Sequence, residues 1–137
     1  MLNTPLLTVD CVVFYENSVV LIRRKNDPFK NWLALPGGFV DIGETVEEAC
    51  SRELKEETNL YIPEEDLKLV GVYSNPKRDV RNHIVSVVFM GQSYSKSLKP
   101  GDDASYVEFV IDWREKNLAF DHKKIIEDAY LLFKGME

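Results

Sequence analysis

The segment Arg52-Glu53-Leu54-Lys55-Glu56-Glu57 gathers three carboxylates in a stretch that otherwise reads as helix. At about 100° per residue, Glu53 and Glu57 fall within about 20° of Val46, on the stripe that also carries Ala49 and Cys50, with Glu56 on its flank. Like charges at i,i+4 repel by a few tenths of a kcal/mol, and carboxylates in the last turns oppose the negative end of the helix dipole. Local physics therefore calls for a positive partner. Carboxylate oxygens converging from one helix face suit a hard divalent cation such as Mg²⁺ or Mn²⁺. Just upstream, Pro36-Gly37-Gly38 is expected to break regular structure and let backbone amides hold phosphate oxygens beside that metal. The competing reading is a solvated acidic helix neutralised by Arg52 and Lys55. The apolar company of Glu53 and Glu57 favours metal-assisted phosphate chemistry instead.

These residues need a scaffold. Thr45 and Glu48 form a T-x-x-E capping box, which predicts a helix over 45–58 with Asn59 at its C-cap. Leu6 to Tyr15 and Val19 to Arg24 predict a hairpin across Glu16-Asn17-Ser18, and Trp32 to Leu35 is a shorter run. Leu67 to Tyr73, His83 to Gly91 and Tyr106 to Asp112 predict further strands, and a last helix carrying Ile125, Ile126, Ala129, Leu132 and Phe133 follows an N-cap at Asp121. Strands, helix, strands, helix is not the alternation of a doubly wound domain. It predicts an α+β class, a mixed sheet with helices packed on its faces.

The chain has 137 residues, which predicts one domain over 1–137 with a core that needs no metal merely to fold. Its formal charge of -6 disfavours nucleic acid and anionic membranes as partners. Cys11 and Cys50 have no CxxC spacing and predict separate buried thiols, hence a cytoplasmic protein. No targeting segment and no apolar run long enough to span a bilayer is present in the sequence.

From Gly38 to Leu60 the chain resembles the Nudix box, Gly-x5-Glu-x7-Arg-Glu-U-x-Glu-Glu-x-Gly-U, where U is a bulky aliphatic residue. Every named position matches except Asn59, which replaces the glycine; Asn is the next most tolerated residue in a left-handed helix cap. The resemblance implies an α/β/α sandwich and the hydrolysis of a nucleoside diphosphate linked to another moiety. It also implies a set of roles. Glu53, Glu56 and Glu57 become metal ligands, Arg52 orients a glutamate through an ion pair, and Glu44 with the Gly37-Gly38 backbone completes a metal-phosphate cradle. Thr45 caps the helix. The general base is either Glu53 or an acid from a distant loop, for which Asp102 and Asp103 after Pro100-Gly101 stand as candidates; an ordinary surface turn is the alternative there.

Pro76, sixteen residues past Leu60, together with its surroundings from Gly71 to His83 and the segment Leu118-Ala119-Phe120-Asp121-His122, resembles the ADP-ribose pyrophosphatase subgroup. That implies ADP-ribose plus water giving AMP and ribose 5-phosphate. Lys77, Arg78 and Arg81 concentrate positive charge suited to a phosphate, or else form a solvated loop. Alternation along its strand favours Arg24 over Arg23 as a phosphate contact. Trp32, Phe39 and Tyr73 are candidates to stack on a base or to fill the core, and Ser74 to meet a ribose hydroxyl. His83 and His122 are read as structural. A nucleotide-pool sanitising triphosphate hydrolase is the alternative enzyme. An ADP-ribose sensor of the kind found in transcription regulators is the alternative outside catalysis, disfavoured by the full set of box glutamates and by the few residues after Asp121. A homodimer through the apolar N-terminal strand is expected.

Overall fold

In the computed structural model, which describes residues 2–102 and 104–136, the first strand is apolar on both faces and both faces are covered. β1 (Leu6–Tyr15) sends Val9, Cys11 and Val13 to one side of the sheet and Val12 and Phe14 to the other. β2 (Ser18–Arg24) alternates likewise, with Val20 and Ile22 on the first side and Val19 and Leu21 on the second. The first layer is closed by α1 (Val46–Thr58) through Ala49, Cys50 and Leu54, and the second by α2 (His122–Gly135) through Ile125, Ile126 and Ala129. The result is the α/β/α sandwich that the box implied.

The remaining strands are β3 (Leu33–Ala34), β4 (Gly37–Phe39), β5 (Lys68–Tyr73), β6 (Ile84–Gln92) and β7 (Ala104–Val110). The sheet runs β3-β2-β1-β6-β5, with β4 on β1 and β7 on β2. β1 and β6 pair in parallel from Leu6 and Ile84 to Phe14 and Gln92, and the other pairs are antiparallel, so the sheet is mixed. β1 shares its second edge between two partners: β2 takes Phe14 and Tyr15, and β4 takes Thr8, Val9 and Asp10. Where β2 and β4 part, a cleft opens beside Asp10.

The helix carrying the carboxylates begins and ends as its sequence dictates. Thr45 Oγ1 accepts from the Glu48 amide (3.0 Å) and Glu48 Oε1 accepts from the Thr45 amide (2.9 Å), closing the capping box. Asn59 ends it in the left-handed region (φ 72°), its amide donating to Lys55 O (3.0 Å).

Four expectations change. Gly37 and Gly38 do not break regular structure: they belong to β4, whose close approach to β1 and α1 leaves no room for a side chain. A Cβ on Gly37 would strike the Val9 carbonyl, and one on Gly38 would lie 2.6 Å from the Glu53 carboxylate. The last strand lies at Ala104–Val110 instead of Tyr106 to Asp112, because Trp113 turns inward in a 3₁₀ turn and is buried against the α2 layer. Asp121 occupies the N-cap position of α2, but its side chain caps nothing and is spent on Arg78. Cys11 and Cys50 are buried but not apart: their sulfurs are in contact, which sequence spacing concealed because only the packing of α1 on β1 brings them together. Among the described residues no helix is long and apolar enough to cross a membrane.

Candidate active site

On α1 a single guanidinium organises the acids. Arg52 forks onto Glu44 (Nε–Oε2 2.7 Å, Nη2–Oε1 2.9 Å), reaches Glu53 Oε1 (2.8 Å) and Glu56 Oε2 (3.3 Å) through Nη1, and donates to Phe39 O (3.2 Å). Glu44 also accepts from the Asp41 amide (2.9 Å). Its side-chain bonds to Arg52 hold Glu44 down at about 2, so it stays ionised and fixes Arg52 in place. Glu53 thereby has one oxygen fixed by Arg52, and its carboxyl also shares a hydrogen bond with Glu57.

Glu57 is in the opposite situation. It is buried, and its Oε2 has no hydrogen-bond partner. Burial first, and the neighbouring Glu53 second, push it up to about 9, with a backbone bond from Gly37 opposing them. Glu53 is raised as well, chiefly by burial. Two adjacent carboxylates, one with an orphaned buried oxygen, abut a glycine whose missing side chain leaves room for a small ion. That donor set is all oxygen, and it fits a hard divalent cation. Among the described residues no three His, Cys, Asp or Glu side chains are already gathered as a cage. Glu56 stands at the rim, its side chain 58% exposed and leaning on Arg52.

Beside this pair lies a cleft of about 320 Å³, entered by Glu57, Gly37, Gly38 and Phe39 on one side and by Arg24, Arg81 and Phe120 on the other. Its floor is Asp10, buried, accepting from Ser86 Oγ (2.5 Å) and facing His122 Nε2 (3.7 Å). His122 Nδ1 accepts from the Leu35 amide (3.0 Å), which places its proton on Nε2, towards Asp10. Burial raises Asp10 and lowers His122, so both are held towards their neutral forms.

The sequence-selected residues divide accordingly. Arg24, Gly37, Gly38, Phe39, Glu57, Arg78, Arg81 and His122 line the cleft, and Glu44, Arg52, Glu53 and Glu56 form the adjoining acidic face. Arg23 points elsewhere, donating to Asn31 O (2.6 Å). Ser74 is exposed and offers its carbonyl to His83 Nε2 (2.9 Å); neither it nor Lys77 lines the cleft. Tyr73 leaves the site altogether, its hydroxyl donating to Asp128 Oδ2 (2.7 Å) under α2. Trp32 packs on Phe29. Asp102 is exposed and its carbonyl accepts from Lys25 Nζ (2.9 Å), while Asp103 lies outside the described residues.

Arg78 lines the cleft but is not free to bind. Its side chain is 5% exposed and forks onto Asp121 (2.7 and 2.9 Å) while donating to Ile84 O (3.2 Å). Breaking such a pair strands a charge, so Arg78→Met should destabilise the fold by about 3 kcal/mol in urea denaturation. A loss under about 0.5 kcal/mol would return Arg78 to the substrate-binding set. The residues missed from sequence are Asp10, Asp79 and Phe120. Asp10 did leave a signal, a lone carboxylate within an apolar strand. Phe120 left none.

Comparison with known proteins places this geometry. The NUDIX domain family matches residues 4–131. The chain is 52% identical over 131 residues to the ADP-ribose pyrophosphatase of Methanocaldococcus jannaschii, covering 96% of this chain and 76% of that one. It is 32% identical to the ADPR responsive transcriptional repressor NtrR of Acinetobacter baylyi, covering 93% of this chain and 54% of the repressor. The NUDIX domain of Shewanella oneidensis NrtR, solved in complex with ADP ribose, superimposes with a TM-score of 0.89 at 30% identity over 96% of this chain and 90% of that domain. With the capped box helix, its acidic face and this match along almost the whole sequence, the chain belongs to the Nudix family.

Proposed function

We propose that this protein hydrolyses the pyrophosphate bond of a nucleoside diphosphate linked to a sugar, with ADP-ribose yielding AMP and ribose 5-phosphate. The observation that carries this is the juxtaposition of the Glu53–Glu57 pair with a cleft whose far wall is cationic. The 52% identity to an ADP-ribose pyrophosphatase supports the choice of sugar nucleotide.

Glu53, Glu57 and the Gly38 backbone would hold Mg²⁺ or Mn²⁺, with Glu56 joining from the rim. A divalent cation bound there neutralises pyrophosphate charge and lowers the pKa of water. The chain's own residues do the positioning. Arg52, locked by Glu44, aims Glu53; the Gly37 amide steadies Glu57; Arg24 and Arg81 take phosphate oxygens from the opposite wall. Glu53 is the proton acceptor we favour, since it lies on the acidic face itself. We read residues 1–137 as one catalytic domain, cytoplasmic and homodimeric, the last testable by light scattering.

The similarity to ADP-ribose-responsive repressors gives the second reading, a sensor. A turnover panel with Mg²⁺ or Mn²⁺ over ADP-ribose, other ADP-sugars and nucleoside triphosphates, with products identified by mass, separates them. ADP-ribose should be preferred by at least about tenfold, with AMP released. Preference for a triphosphate with pyrophosphate released would replace the substrate, and tight ADP-ribose binding without turnover would replace the function.

A further inference from the structure

The cationic wall of the cleft is built around one aromatic ring. Arg24 and Arg81 each lie over Phe120, both 5.1 Å from its centroid. Arg81 is neutralised by Asp79 (2.7 and 3.0 Å). Arg24 is not: its Nε donates to Pro28 O (2.8 Å), and no carboxylate pairs with it among the described residues. Burial and the nearby Arg81 both work against its charge. A half-buried guanidinium that lines a cleft beside a second one and has no carboxylate partner is arranged for an anion the protein does not supply.

Phe120 is what holds that arrangement. Its backbone sits in the left-handed region (φ 54°), which a bulky aromatic residue rarely adopts. The conformation is enforced from both sides. Ala119, fully buried, donates its amide to Leu33 O (2.9 Å), and His122 is fixed by the Leu35 amide (3.0 Å). The ring then meets Phe29 edge-on (4.9 Å), and Phe29 lies in the same loop as Pro28, whose carbonyl restrains Arg24. The π-face contributes a modest attraction to each guanidinium and holds two like charges at set positions.

We propose that Phe120 is a positioning residue whose ring, shared by Arg24 and Arg81, seats the Arg24 guanidinium for a phosphoryl group of the substrate. This deepens the pyrophosphatase reading and rests on it. The phosphoryl group belongs to the nucleoside half or to the sugar half of the substrate, and the two products distinguish these.

The test is a double-substitution cycle on the full chain with Phe120→Leu, Arg24→Ala and the pair. Phe120→Leu, which keeps an apolar side chain, should raise KM for ADP-ribose by about tenfold with kcat within about twofold and the melting temperature nearly unchanged. Phe120→Trp, which restores a π-face, should recover most of the loss. Because Phe120 acts through Arg24, the pair should bind no worse than Arg24→Ala alone. Isothermal titration with AMP and with ribose 5-phosphate reads the same seat without turnover, and the product weakened in both single variants is the half that occupies it. An unchanged KM, additive losses in the pair, or a loss of kcat that tracks melting temperature would overturn the proposal. Absence of ADP-ribose turnover in the unsubstituted protein would instead strike the pyrophosphatase reading, and the product titrations would still decide the role of Phe120.

Discussion

Glu57→Gln should lower Mg²⁺-supported turnover by at least about a hundredfold while leaving the fold intact. Glu57 is buried, its Oε2 is unpartnered, and Glu53 lies beside it, so the native charge is unfavourable unless something positive shares the site. Glutamine keeps the volume and removes the charge. The substituted protein should therefore melt at the same temperature or higher, because it need neither bury a charge nor take up a proton beside Glu53. Glu53→Gln should lose turnover on the same scale, with Arg52 still anchored by its fork onto Glu44. Steady-state rates with Mg²⁺ and with Mn²⁺, together with Mn²⁺ binding by titration, check both variants. Native turnover in either would remove that glutamate from the metal site.

Stability without metal should depend on pH in the direction set by the same residue. Glu57 is pushed up to about 9 from an ordinary 4.5, so between these values the folded state binds more protons than the unfolded state. Its stabilisation is full below about pH 4.5 and is lost as pH rises through about 9. Asp10 and Glu53, both raised by burial, act in the same sense. Glu44 acts oppositely, but only in acid: held at about 2, its contribution is present at higher pH and lost as pH falls through that value. The melting temperature of chelator-treated protein should thus fall by at least about 5 °C from pH 5 to pH 8.5, and Glu57→Gln should flatten much of that slope. Millimolar Mg²⁺ at pH 8 should restore the native protein and do little for the variant. A flat profile in the chelated native protein would show that Glu57 carries an ordinary carboxylate affinity.

The parts of this molecule that were legible in the sequence are those decided within a few residues. The Thr45–Glu48 box and the left-handed Asn59 cap are local hydrogen-bond and dihedral requirements, and the helix starts and stops where they place it. Both faces of the sheet are covered because β1 and β2 are apolar at successive positions. The conflict of two carboxylates on an apolar stripe is likewise a property of spacing alone, and it marked the acidic face before any contact was known.

What the tertiary structure decided is which charges are already spent and what stands across from them. Arg78, Arg81 and Arg24 look equivalent in sequence, yet Asp121 claims the first, Asp79 holds the second by two of its nitrogens, and of the three only Arg24 pairs with no carboxylate among the described residues. Tyr73 and Asp128, Cys11 and Cys50, and Asp10 beneath Gly37 are pairings between elements far apart in the chain. The sequence determined the helix, its caps, the sheet's two apolar faces and the acidic stripe, because each follows from a period or a short-range bond. Partner choice and the shape of the cleft waited on the fold, because Coulomb energy and burial depend on distance through space, and only packing sets that distance.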